Sequence, residues 1–450
     1  MQDEKIGLKR VLGLRQATVL NMIDMVGIGP FAALPIILLG FPGRFSVIPW
    51  IIGAIISLAD GMIWAELGSA WPEAGGSFIF LQKLYKGKTG RIMAFLYSMQ
   101  TSLHLPLVVT SAALGLVNYL KYVVPMGYWE TKLVMVAIVA IVIGLLYRKI
   151  SSVGKIGMAM SVVMVFMLLW TIGTGAFAYD SHLMDSNSAN MPHFDSWFKI
   201  AFWMMVGQYT SKTVYAFLGY YNVCHIGGEI KNPHQNIPRS ILLSIGIIAV
   251  LYIAMQWFVA GAVPVSEIKD GNAPLLSIFF EKVYGKNVAY IVTGILVIVA
   301  CSSLFALMLG YSRIIYAAAK EGLHFKLFAH LHPTKDFPDY VLLVFGSIAI
   351  IFCMCFEQTS TVFSFIVVTR IFIQFIPQAI GVILLRIKKR TSELHFKMPA
   401  FPILAIFSIL VWVLLFVSSG WKYGKFGIGV IIFGLIFYKL LIKSNNRKEN

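Results

Sequence analysis

Asn21-Met22-Ile23-Asp24-Met25-Val26-Gly27-Ile28-Gly29-Pro30-Phe31 interrupts the first apolar stretch of the chain with two glycines and a proline, beside a carboxylate. In hydrocarbon no water is at hand for a freed amide or carbonyl, so such an interruption persists only where its backbone faces protein, water or a ligand. The break is therefore expected to point inward, to a cavity.

Hydrocarbon is the right surrounding for the rest of the chain as well. Its 450 residues are 58% hydrophobic and only 13% charged, with a mean hydropathy of +0.79, far above soluble globular composition. The apolar residues come in stretches long enough to cross roughly 30 Å of hydrocarbon, and about twelve are discernible, centred near residues 28, 58, 105, 138, 165, 212, 250, 302, 347, 373, 408 and 431. The expectation is an all-α polytopic membrane protein, one transmembrane domain over 1–450. The longest polar connection, from about Tyr179 to Trp197, reads as a loop.

A net charge of +17 would suggest nucleic acid in a soluble protein, but here the charge is sorted by side. Of the 37 Lys and Arg, about 26 fall in the two tails and every second loop, about nine in the opposite loops, and Lys212 and Arg370 lie inside spans. Lys83, Lys86, Lys88, Arg91, Arg148, Lys149, Arg386, Lys388, Lys389 and Arg390 belong to the basic side. The positive-inside rule puts both termini in the cytoplasm and the chain in an inner or plasma membrane. The basic surface then has anionic lipid as its partner, with no role for nucleic acid.

Cys224, Cys301, Cys353 and Cys355 lie within or at the ends of apolar stretches, where a cysteine packs as a small hydrophobe rather than forming an exported disulfide framework. The N-terminus runs from acidic Asp3 and Glu4 into a basic stretch and reads as a cytoplasmic tail, not as a cleaved leader. No Walker loop, His-Glu-x-x-His pair or Gly-x-Ser-x-Gly elbow is present, so an enzyme is not expected and no cofactor is called for.

A second interruption turns one odd helix into an architecture. Tyr215-Ala216-Phe217-Leu218-Gly219-Tyr220-Tyr221-Asn222-Val223-Cys224-His225-Ile226-Gly227-Gly228-Glu229 breaks the sixth apolar stretch, which stands in the second five-span half where the first span stands in the first. Paired Gly/Pro-interrupted spans so placed indicate an inverted-repeat transporter with its site at the bilayer midplane.

At these residues the chain resembles the amino acid–polyamine–organocation (APC) superfamily, and the resemblance covers nearly its whole length. It is carried by the first-span glycine pair; by Ala65-Glu66-Leu67-Gly68-Ser69-Ala70-Trp71-Pro72-Glu73-Ala74-Gly75-Gly76-Ser77-Phe78 closing the second span; by Phe217-Leu218-Gly219 followed by Gly228-Glu229-Ile230-Lys231-Asn232-Pro233 and Ile237-Pro238-Arg239; and by Ser312-Arg313-Ile314-Ile315-Tyr316-Ala317 with Glu321-Gly322. The resemblance implies a LeuT-like five-plus-five inverted repeat of about twelve helices with helices 1 and 6 broken. The first repeat would cover about 16–178, the second about 198–390, and two trailing helices about 398–442. It also implies alternating access around a site formed by Asp24, Met25, Gly27, Ile28, Gly29, Pro30, Tyr215, Phe217, Gly219 and Tyr220.

Helix electrostatics agrees with that site. Pro30 suits the first position of the outer half-helix, where the amides of Ile28, Gly29 and Phe31 form a positive dipole end fit for a carboxylate. The carbonyls near Met25 and Val26 form a negative end fit for an ammonium group. Asp24, repelled by that negative end and penalised by burial, needs a positive charge or a proton: it meets a cationic substrate group or carries the coupling proton, or else it is neutralised by a structural lysine. Lys155, after Arg148-Lys149-Ile150-Ser151-Ser152-Val153-Gly154, matches the lysine that in proton-coupled members takes the place of sodium. It is thus the candidate coupling cation, unless it snorkels to the interface.

The chain also departs from the family pattern. Tyr221 stands where acid-resistance exchangers carry a glutamate, Tyr215 matches their aromatic gate, and Ile28 replaces a frequent hydroxyl residue. With Pro30 following, the break is similar to that of polyamine importers. Asp60, His104, Lys212, Arg370, Gln374 and Gln378 are costly in lipid and are expected to face the interior, chiefly as inter-helix hydrogen bonders. A lone His225 reads as a packed side chain, and Glu66 and Glu229 as partners of basic loops.

The functional expectation is a secondary active transporter, an amino acid permease driven by the proton gradient through alternating access. A polyamine or other organic-cation transporter, or an amino acid exchanger, is the alternative. A channel would need a filter motif or charge rings, which the sequence lacks; a transporter-like receptor would need a signalling domain.

Overall fold

The computed structural model describes residues 10, 12–73, 75–147, 150–191, 199–332, 338–390 and 392–446, with 145–146, 150–161, 305–306, 309 and 441–446 described by backbone alone. Lys155 is in the latter group, so its side chain falls outside the described residues.

Helices hold most of the described residues. In chain order they are α1 (Leu14–Met25), α2 (Gly29–Gly40), α3 (Ile48–Ala70), α4 (Ser77–Tyr85), α5 (Gly87–Val123), α6 (Tyr128–Leu146), α7 (Ile150–Phe177), α8 (Ser181–Ala189) and α9 (Ile200–Phe217). Then follow α10 (Asn222–His225), α11 (Pro233–Ala260), α12 (Leu275–Tyr284), α13 (Lys286–Lys320), α14 (Asp339–Cys355), α15 (Thr359–Arg370), α16 (Ile376–Ile387), α17 (Ile403–Ser418) and α18 (Trp421–Asn446). Among the described residues, six helices are long and apolar enough to cross a membrane, or up to eight if each of two sharply bent pairs is one span. The outer surface carries exposed Leu133, Val162, Phe166, Ile200, Leu410 and Ile436, an apolar exterior that suits lipid rather than water.

The first break falls where the glycines put it. α1 stops at Met25 and α2 starts at Gly29, the two axes bent by 50°. Pro30 stands in the first turn of α2, one residue further in than expected, where its missing N–H costs no hydrogen bond. The second break is less symmetrical than the sequence suggests. α9 ends at Phe217, Gly219 takes φ +122°, and only the single turn of α10 and a 3-10 turn at Gly227–Glu229 follow before α11.

One expected loop is corrected. The polar stretch after Tyr179 contains α8, bent 96° from the preceding helix. Its sequence is polar, but local bonds make it helical: Asp180 caps it by accepting from the His182 amide (2.8 Å). Asn187 ties it down, donating to the carbonyls of Ala260 and Val263 (2.9 Å each) and accepting from the Val265 amide (3.0 Å).

Polar groups tie the end of α3 to α16 and the segment after it. Arg386 grips the fully buried Glu66 through Nε (2.8 Å) and Nη2 (2.5 Å), and Glu66 also accepts from the Met398 amide (2.8 Å). This is the pairing with the basic loop that the sequence suggests. Ahead of α1, Leu12 forms a parallel bridge with Ile230: its amide donates to Glu229 (3.0 Å) and its carbonyl accepts from Lys231 (2.8 Å).

Candidate functional site

The two breaks touch. Gly219 lies so near α1 that a Cβ there would stand 2.7 Å from the Asp24 carbonyl carbon and 2.8 Å from the Met25 nitrogen. Asn21 adds a polar tie, accepting from the Val223 amide (2.9 Å). A small cavity of about 40 Å3 opens at this contact, room for about three water molecules.

The cavity is walled by Asp24, Met25, Gly27, Ile28 and Gly29 at the first break and by Tyr215, Ala216, Leu218, Gly219 and Tyr221 at the second. Two further helices complete it, each offering residues four apart and hence on one face: His104, Val108 and Ala112 of α5, and Ser303, Leu307 and Tyr311 of α13. Of the residues expected from sequence, seven therefore line the cavity. Pro30 is buried in α2. Phe217 packs on Trp50 and Tyr252, and Tyr220 donates its hydroxyl to Asp60 (2.5 Å). These three are absent from the cavity lining.

Each glycine of the first break admits a neighbour. A Cβ on Gly27 would meet the Ser303 side chain (2.8 Å to its Cβ), and one on Gly29 would press the Tyr215 ring (3.1 Å). Tyr215 is fixed from two sides, stacked on Phe363 with ring centroids 3.8 Å apart and hydrogen-bonded through its hydroxyl to Ser111 Oγ (2.5 Å). Ile28 packs against Gly115 of α5.

The negative dipole end of α1 is partly occupied. The Met25 carbonyl accepts from Tyr252 OH (3.0 Å), which also lies 3.3 Å from the Ala216 carbonyl, so one buried hydroxyl ties the ends of α1 and α9 together. Tyr252→Phe is expected to lower stability by about 1 kcal/mol, read as a lower unfolding temperature in detergent, because it strips both carbonyls of their donor without altering shape.

Asp24 is 6% exposed, and its Oδ1 has no hydrogen-bond partner among the described residues. No lysine pairs with it on the described part of the site; the charge that acts on Asp24, and on Asp60 as well, is the Arg370 guanidinium, which forms no salt bridge with Asp24 among the described residues. Arg370 stands behind the wall formed by His104, Tyr221 and Tyr311, with its hydrogen bonds passing to all three. From sequence it ranks only as one interior hydrogen bonder among several; the available signal is its place on one face with Gln374 and Gln378. A π-helical turn, Ile371–Phe375, follows it directly, a distortion that recurs at functional positions.

The other interior polar residues sort by partner. Lys212 donates to the Ser360 carbonyl (3.0 Å) and to Ser364 Oγ. Gln374 and Gln378 both donate to Ser77 Oγ (3.0 Å each). Below the cavity Tyr97, Gln100, Thr101 and His104 share one face of α5, and each has a buried polar atom without a partner among the described residues, as do both ring nitrogens of His225. His225 is thus packed among rings, Trp64, Tyr221 and Tyr311, but its nitrogens are unsatisfied.

Comparison with known proteins decides the family. The amino acid permease family model matches residues 12–438, nearly the whole chain. The chain belongs to the amino acid permease family. Its relatives are permeases of the APC superfamily. The serine/threonine exchanger SteT of Bacillus subtilis is 23% identical over 428 residues, 91% of each chain. The putrescine transporter PotE of Haemophilus influenzae is 26% identical over 336 residues, 73% of this chain and 72% of its own. The branched-chain amino acid permease BcaP of Bacillus subtilis is 22% identical over 466 residues, 98% of this chain and 94% of its own. As a member of the amino acid permease family, the protein is a membrane transporter and not an enzyme.

Proposed function

We propose that this permease is a proton-coupled secondary active transporter of amino acids across the cytoplasmic membrane, working by alternating access with both termini in the cytoplasm. The observation that carries the reading is the cavity at the junction of two broken helices, with an unpaired carboxylate oxygen on its wall. In a membrane interior such a carboxylate is retained for a substrate or an ion.

The reading carries a layout with it. Twelve spans arrange as a LeuT-like five-plus-five repeat, about 16–178 and about 198–390, with α17 and α18 trailing; the broken helices in corresponding halves support it. Asp24, Met25, Gly27, Ile28, Gly29, Tyr215 and Gly219 form the binding surface, while Pro30, Phe217 and Tyr220 set the geometry behind it. Asp24 exchanges the coupling proton, with Lys155 as the second coupling group. The small volume of the cavity supports alternating access, because a solute of amino-acid size enters only when the walls part. No cofactor takes part; the proton gradient supplies the energy.

A polyamine substrate is the second reading, favoured by the Gly29-Pro30 break and by the relative that is a putrescine transporter. Uptake of labelled amino acids and diamines into proteoliposomes, with and without an inward proton gradient, tests both. Saturable amino acid accumulation that collapses without the gradient is expected. Uptake of diamines alone would establish the second reading, gradient-independent uptake that needs internal substrate would make the protein an exchanger, and unsaturable single-channel currents would overturn the transporter reading.

A further inference from the structure

Arg370 closes α15 at 1% exposure, and none of its hydrogen-bond partners among the described residues is an anion. Its Nε donates to Gln374 Oε1 (2.6 Å), and its Nη1 donates to Tyr221 OH and lies 3.3 Å from both Tyr311 OH and His104 Nε2. Nη2 has no partner among the described residues. A guanidinium so deep is costly without a counter-ion. The two carboxylates its charge reaches are Asp60 and Asp24. Asp60 is already held by Tyr220 OH (2.5 Å) and Trp412 Nε1 (3.3 Å) and is no part of the cavity wall. Asp24 is on that wall with one oxygen bare, and no salt bridge joins it to Arg370 among the described residues. The cavity therefore has a bare carboxylate on its surface and an under-compensated cation one side chain behind it, relayed by the hydroxyls of Tyr221 and Tyr311.

We propose that Arg370 is the specificity-determining charge of this site: it orients a zwitterionic substrate with its ammonium on Asp24 and its carboxylate towards Tyr221 and Tyr311, rather than towards the amides that open α2, and it rejects diamines. The inference rests on the amino acid reading above and deepens it. A separated pair of opposite fixed charges favours a solute carrying the complementary pair, because each end meets its opposite in a medium that screens poorly. A diamine satisfies Asp24 with one end and carries its second positive charge towards the guanidinium. Discrimination then comes from repulsion of the wrong solute as much as from attraction of the right one. The hydroxyls matter because they pass the charge to the cavity surface: both accept from Arg370, and a hydroxyl pair that accepts there keeps a proton to donate to an anion.

The test is competition against uptake of the best-transported amino acid of the panel in proteoliposomes. The competitors are that amino acid, its carboxamide and putrescine, applied to wild type, Arg370→Gln, Arg370→Lys and Tyr311→Phe, each checked for its unfolding temperature. In wild type, the amino acid should compete at least tenfold better than the carboxamide, and putrescine weakly or not at all. Arg370→Gln should lose tenfold or more for the amino acid while gaining for putrescine, and Arg370→Lys should restore most of the wild-type order. Tyr311→Phe should narrow the gap between amino acid and carboxamide severalfold and leave putrescine unchanged; this variant decides the matter if Arg370→Gln does not fold. Unchanged ratios in Arg370→Gln, or in Tyr311→Phe where it stands in, would overturn the proposal while leaving the amino acid reading intact. If wild type moves no amino acid, it is that earlier reading that fails.

Discussion

Asp24→Asn should reduce uptake to a few per cent of wild type or less while leaving the protein as stable as before, or more so. Asparagine keeps the shape of the side chain and removes its charge. Removing one partner of a buried charge pair costs about 2–5 kcal/mol, and each 1.4 kcal/mol is a factor of ten. The loss is therefore about thirtyfold or larger. Stability moves the other way because the Asp24 carboxylate has an unpaired oxygen in a buried place, an arrangement that costs folding free energy. An inactive variant with an undiminished unfolding temperature is thus the signature of a residue held for its task rather than for the fold. Uptake and thermal unfolding measured on the same preparation check this, and uptake within threefold of wild type would remove Asp24 from the mechanism.

Gly219→Ala should have the largest effect on folding. With φ at +122°, any side chain is strained. The added carbon would also collide with main-chain atoms of Asp24 and Met25, which cannot rotate away as a flexible side chain could. Together these cost about 3 kcal/mol or more, so the variant should be poorly recovered from membranes or unfold many degrees lower. Gly246→Ala in α11 is the control. A Cβ there meets nothing within 4 Å, and replacing a helical glycine favours the helix by up to about 1 kcal/mol. Equal stability of the two variants would refute the close approach of the breaks.

Both predictions concern features that the sequence displays openly. Glycine and proline inside an apolar run have few explanations, so the breaks at Gly27–Pro30 and Gly219 are legible in the order of residues alone, and so is the isolated carboxylate beside the first. The walls are not. Ser303, Tyr311 and His104 belong to helices far away in the chain, and nothing local distinguishes a polar residue that faces a cavity from one that bonds a neighbouring helix. Arg370 is the sharpest case. Its charge says that it avoids lipid, but the pairing that gives it a role runs through Tyr221 and Tyr311 on two other elements. The helix α8 escapes sequence reading for a different reason: its polar composition resembles a loop, and the Asn187 bonds that hold it reach residues more than seventy positions away.

The bridge between Leu12 and Ile230 has a mechanical meaning. Two main-chain hydrogen bonds join the start of the first span to the segment beyond α10, so those two pieces travel as one body until the bonds part. At about 1 kcal/mol net for each bond, the join is a latch rather than a lock: in the proposed alternating-access cycle it is weak enough to be released by the binding energy of a single solute.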